Sequence, residues 1–122
     1  MNSAQLKQYI AQGNLDSVFT DLYGSDKIAY QRERYIEAID GFLENYSDTD
    51  DIRLFSVPGR SEISGNHTDH NHGKVLAASI NLDIIAVATK TDTGIINIKS
   101  RGFKPDSVKI ADIKVDPEKF FT

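Results

Sequence analysis

The hydrophobic periodicity of this chain changes once, near residue 47, and that change limits its architecture more than any other feature. Before it, apolar residues recur at helical spacing. Leu6, Tyr9 and Ile10 form a short face that Gly13 can stop, and Leu15, Val18, Phe19 and Leu22 follow the i, i+3, i+4, i+7 rule up to Gly24. Ser25 is placed to cap a longer helix with Ile28, Tyr35, Ile39, Phe42, Leu43 and Tyr46 on one stripe. The other face of that helix, with Arg32, Glu33, Arg34 and Glu37, reads as solvated.

After a polar, acidic turn over 47–51 the pattern becomes that of strands. Ile52 to Val57 alternates between two faces until Pro58-Gly59, where a break is expected. Val75 to Ile80 and Asp83 to Thr89 are short apolar runs. The second is predicted to form a hairpin with Ile95-Ile96-Asn97-Ile98 through Thr91-Asp92-Thr93-Gly94, and Val108 to Ile113 is a further strand candidate. The expected fold is α+β: a mixed, largely antiparallel sheet from residues 51–115 with the helices of residues 3–46 packed on it. A chain of 122 residues supports one such core, so a single domain over 1–122 is expected, too small for two cores with a cleft between them.

Composition narrows the function classes. A net charge of −4, with no basic stretch interleaved with aromatics, argues against nucleic acid as a partner. The absence of cysteine excludes disulfides and thiolate sites and suits a reducing compartment. Met1-Asn2-Ser3-Ala4-Gln5 is polar, and no apolar run approaches the roughly 18 residues of a membrane span. A cytoplasmic protein without a membrane partner is expected.

Chemistry concentrates in one place. All 3 histidines, His67, His70 and His72, fall in a short stretch with Asp69 among them, Arg60 upstream, and Gly65 and Gly73 as bounds. Imidazole titrates near neutrality and can donate, accept or ligate metal, so such a cluster marks a site. The residue types suit a sugar. A carboxylate such as Asp69 can accept from two neighbouring hydroxyls, while Asn66 and His67 can each exchange one more hydrogen bond. They also leave open a metal, since His67, Asp69, His70 and His72 are all Zn²⁺-capable ligands. In an extended segment, however, His70 and His72 would share a face that His67 and Asp69 do not, and no further ligand cluster follows downstream. His72 reads as a surface residue.

The stretch Gly59-Arg60-Ser61-Glu62-Ile63-Ser64-Gly65-Asn66-His67-Thr68-Asp69-His70-Asn71-His72-Gly73, followed by the apolar run Val75 to Ile80, resembles the N-terminal signature of galactokinases, in the GHMP superfamily of small-molecule kinases. The resemblance implies a divergent, bacterial-type member. It implies that Asn66, His67 and Asp69 contact galactose or a related hexose. It further implies that Arg60 is catalytic, lying near the transferred phosphoryl group. Asn66 stands where most members carry a glutamate, and His70 where they carry a tyrosine, which leaves room for another hexose or for a non-catalytic galactose sensor on the same scaffold. The family's Gly- and Ser-rich ATP-phosphate loop and its later catalytic aspartate have no counterpart here. Asp116-Pro117-Glu118 reads as a helix start that Thr122 follows closely. The expectation is therefore an N-terminal fragment that is inactive alone and prone to self-association, whose parent uses ATP and Mg²⁺.

Overall fold

The structure, a computed structural model, describes residues 1–65 and 72–113. It forms two compact units, Met1–Thr89 and a second from Lys90 onward. The first holds α1 (Ser3–Ala11), α2 (Asp16–Tyr23), a 3-10 turn (Ser25–Lys27), α3 (Ile28–Leu43), β1 (Arg53–Ser64) and β2 (Leu76–Ala88). The second holds β3 (Ile95–Ile98), β4 (Asp106–Lys109) and a 3-10 turn (Ile110–Asp112). The α+β class holds.

Each helix has a visible local cause. At the start of α1, the Asn2 side chain accepts from the Gln5 amide at 2.9 Å and Gln5 Oε1 accepts from the Asn2 amide at 3.2 Å, a reciprocal capping box. Asp48 adds a long-range partner, accepting from the Ser3 amide at 3.0 Å and the Ser3 hydroxyl at 2.8 Å. Gly24 ends α2 at φ 89°, a conformation that a Cβ disfavours. Ser25 does not cap α3. It opens the 3-10 turn, and Lys27 precedes α3 without a side-chain cap.

The predicted apolar stripes meet in part: Leu6, Ile10, Phe19, Tyr35, Ile39, Phe42 and Ile52 form one core against which Leu54, Ile85 and Val87 of the sheet pack, while Tyr9, Val18 and Leu22 stay exposed. Phe19, Ile10 and Ile39 are fully buried, each worth about 1.5–3 kcal/mol in apolar area removed from water. The Phe19 and Tyr35 rings lie 5.0 Å apart and tilted, tying α2 to α3. The charged face of α3 is not simply solvated. Arg32 binds Asp16, its Nε donating to Oδ1 at 2.8 Å, and Arg34 reaches Asp83.

The strands are where sequence and structure part. Pro58-Gly59 does not end β1; the strand runs on to Ser64 and the ladder shifts register between Pro58 and Arg60. The two runs Val75 to Ile80 and Asp83 to Thr89 join into one strand, β2, which pairs antiparallel with β1. The expected hairpin between 83–89 and 95–98 does not form, because the β2 ladder partner is β1 and β3 pairs antiparallel with β4. The strand candidate at Val108 to Ile113 becomes β4 from Asp106 to Lys109 and then a 3-10 turn. Among the described residues there are thus two separate two-stranded antiparallel sheets in place of one mixed sheet. Apolar runs show that strands exist, but their partners follow from which faces meet the helices. The helix start at Asp116-Pro117-Glu118 lies outside the described residues.

Candidate functional site

β1 and β2 together make a hairpin whose far end carries the histidine-rich stretch. On one face, Leu54, Ile85 and Val87 pack on the helical core. On the other, Val57 and Ile84, opposite each other in the ladder, stay 60% and 76% exposed. The last ladder pair before the loop is Ser64 with Leu76. Gly65 closes the neck at φ 91°, and a Cβ there would stand 2.3 Å from the Lys74 carbonyl oxygen and 2.9 Å from the Val75 Cα. Both the backbone angle and the contact demand glycine, so the two ends of the stretch are held close together.

Arg60 lies in β1 just past the register shift, opposite Ser79. Its guanidinium is 76% exposed and stands 3.9 Å from the Glu62 carboxylate. A pair that long and that open contributes about 0–1 kcal/mol, so Arg60 remains available to an anion. His72 is exposed, with φ 57°, unusual for a residue with a side chain. Asn66, His67 and Asp69, the expected sugar contacts, lie outside the described residues, as does His70, so the metal alternative also falls there. Among the described residues no three metal-capable side chains gather, and no helix is long and apolar enough to cross a membrane.

Behind the hairpin lies a polar cluster that sequence reasoning missed. The Asp83 side chain is 5% exposed and is held from three elements. Ser56 Oγ of β1 donates to Oδ2 at 2.6 Å, and Tyr23 Oη of α2 donates to the same oxygen at 2.5 Å. Arg34 of α3 donates through Nη1 to Oδ1 at 2.7 Å and through Nη2 to the Asp83 carbonyl at 3.0 Å. With its proton committed to Asp83, Tyr23 accepts from Tyr35 Oη at 2.8 Å. Burial opposes ionisation of Asp83, but the bonds from Ser56, Tyr23 and Arg34, with the arginine's charge, outweigh it and hold the carboxyl below its usual range. Burial, and then the neighbouring carboxylate, push the Tyr23 phenol up. One signal was available: Asp83 is the lone acid in the apolar stretch that becomes β2. Such a residue needs a buried partner.

The hairpin falls within a stretch that matches a known family signature. Residues 40–90, which take in all of β1 and β2 and the stretch between them, match the galactokinase galactose-binding signature. The chain is 29% identical over 106 residues to a galactokinase of Candida maltosa, covering 84% of this chain and 49% of that relative. It is 31% identical over 99 residues to a galactokinase of Candida parapsilosis, covering 77% of this chain and 19% of the relative. With a galactokinase of Bacillus subtilis the identity is 26% over 80 residues, 63% of this chain and 20% of the relative. The chain is thus similar in sequence to these galactokinases, spanning about half of one of the three and about a fifth of the others. No solved structure matches it.

Proposed function

We propose that this chain supplies the sugar-binding loop of a cytoplasmic galactokinase-like kinase, which phosphorylates galactose at its anomeric hydroxyl. The observation that carries the reading is the galactose-binding signature over 40–90, coincident with a hairpin whose neck is pinched at Gly65. In this reading Asp69 accepts from two ring hydroxyls, and Asn66 and His67 each take another. A wrong epimer would leave one of these groups unpaired, at about 1–3 kcal/mol. Arg60, exposed beside the loop, would face the charge that grows as a phosphoryl group moves.

ATP with Mg²⁺ would supply that phosphoryl group. The described residues do not fit it: α1 follows Met1-Asn2, α2 follows Asn14-Leu15 and α3 follows Ser25–Lys27, none of them a glycine-rich cradle. No step through ATP is therefore assigned to them, and the 122-residue chain is expected to be inactive alone. A non-catalytic galactose sensor is the second reading, favoured by Asn66 in the usual place of glutamate. Neither reading calls for a metal on the histidines, nucleic acid or a membrane.

Calorimetric titration with galactose tests the sugar site, alongside a coupled ADP-release assay with Mg-ATP. Binding that Asp69→Ala abolishes, without ADP release, is the expected result. Failure to bind any hexose would overturn the sugar reading. A stoichiometric Zn²⁺ retained through chelator dialysis and lost in His67→Ala would favour the metal alternative.

A further inference from the structure

An antiparallel sheet with helices on one face ordinarily turns polar residues outward on the other. The β1–β2 hairpin does not. In the regular stretch of its ladder Phe55 faces Ala86 and Val57 faces Ile84. These four alternate with Leu54, Ile85 and Val87, which pack on the helical core, so they share the opposite face. Phe55 is 48%, Val57 60% and Ile84 76% exposed, and Ala86 is exposed as well. Leu82, beside them at the register shift, is 71% exposed. The sequence carries the same pattern: from Ile84 to Ala88 every residue of β2 is apolar, as in strands covered on both faces.

Two properties of this face suit a second copy of the chain. The first is area. The five side chains leave on the order of 500 Å² of largely apolar surface open, toward the upper end for a monomer. Two such faces stacked together would bury about 1,000 Å², the lower limit for a specific interface. The second is charge. None of the five is charged, and Arg53, the next outward residue of β1, lies 3.0 Å from the Asp51 carboxylate. A two-fold stack therefore sets no unpaired like charges against each other, the chief obstacle when a chain of net charge −4 meets itself.

We propose that the outward face of the β1–β2 hairpin is a self-association surface, on which Phe55, Val57 and Ile84 of two copies stack as facing sheets in a weak two-fold dimer. The surface does not depend on the sugar-site reading.

Sedimentation velocity over a concentration series of the 122-residue chain tests it, with Ile84→Lys, Ile84→Glu and, as a control on exposed apolar helix surface, Val18→Lys. The natural chain should dimerise with a Kd on the order of 100 µM, as so small an interface implies. Ile84→Lys and Ile84→Glu, each folded by circular dichroism, should weaken association about tenfold or more, because like charges then face each other across the axis. An equimolar mixture of the two should recover it, which loss of folding could not do. Val18→Lys should change nothing. Val57→Thr decides the matter if the charged variants do not fold, and should weaken association about threefold through lost apolar area.

A natural chain still monomeric at millimolar concentration would overturn the assignment, and a lowered urea midpoint in Ile84→Lys would then show the face to be covered within a single chain. A dimer that the Ile84 and Val57 variants leave intact, as pairing of strand edges would give, overturns it too. So does a dimer that Val18→Lys abolishes.

Discussion

Arg34 and Asp83, 49 residues apart in the chain, meet twice: one guanidinium nitrogen binds the carboxylate at 2.7 Å, the other the carbonyl of the same residue at 3.0 Å. The arginine thereby ties the third helix to both the side chain and the backbone of the second strand. Its side chain is 24% exposed against 5% for the aspartate, so the acid bears most of the desolvation.

Arg34→Ala should therefore act chiefly through the charge it strands. Breaking a fully buried pair costs about 3–5 kcal/mol, and with Arg34 partly in water the expected loss is about 2–3 kcal/mol. Urea unfolding followed by circular dichroism reads it. Because the acid is the stranded group, the double variant Arg34→Ala/Asp83→Asn should recover part of the loss. A single variant as stable as the natural chain would show the pair to be incidental.

Acid should weaken the fold. Asp83 is held below the usual carboxylate range as described, Asp48 by its bonds from the Ser3 amide and hydroxyl, and Asp16 by its bond with Arg32. The unfolded chain protonates these groups first, near an ordinary pKa of about 4, so it binds more protons than the folded chain below that value. Their contribution is fully present above this range and is lost as pH falls through the lowered values. The urea midpoint should be flat from pH 7 to 5 and drop toward pH 3, less steeply in Asp83→Asn. A midpoint rising in acid would contradict the sign.

Gly65→Ala should damage the hairpin neck. The left-handed backbone alone disfavours alanine by about 1–2 kcal/mol, and the Cβ would also overlap the Lys74 carbonyl oxygen. Thermal unfolding should register more than that amount, with amide shifts concentrated at Ser64 and Lys74 to Leu76. Galactose binding should be lost while the helical signal persists.

Asn66→Glu restores the residue most galactokinases carry beside the histidine. Hydrogen bonds to a charged group contribute about 1 kcal/mol more than neutral ones, so galactose affinity should hold or tighten up to roughly fivefold. Abolished galactose binding in this variant, with the chain folded, would point to a different sugar.

Much of the helical stripes and the galactokinase-like motif were legible in the sequence because each is local. Tyr35, Ile39 and Phe42 share a stripe through helical spacing alone and are all buried. The Gly-Arg and Gly-x-His-Thr-Asp pattern likewise depends on adjacent residues, and it falls within the galactose-binding signature. Strand partners were not legible, since β2 could have paired with 95–98 as well as with β1 on alternation alone. Nor was the role of Arg34 and Asp83, which read as a solvated cation and a strand acid until the helices and the hairpin were brought together. Period and motif are properties of neighbours in the chain. Register and buried charge pairing depend on which surfaces meet, and only the packing of α2 and α3 against β1 and β2 decided that.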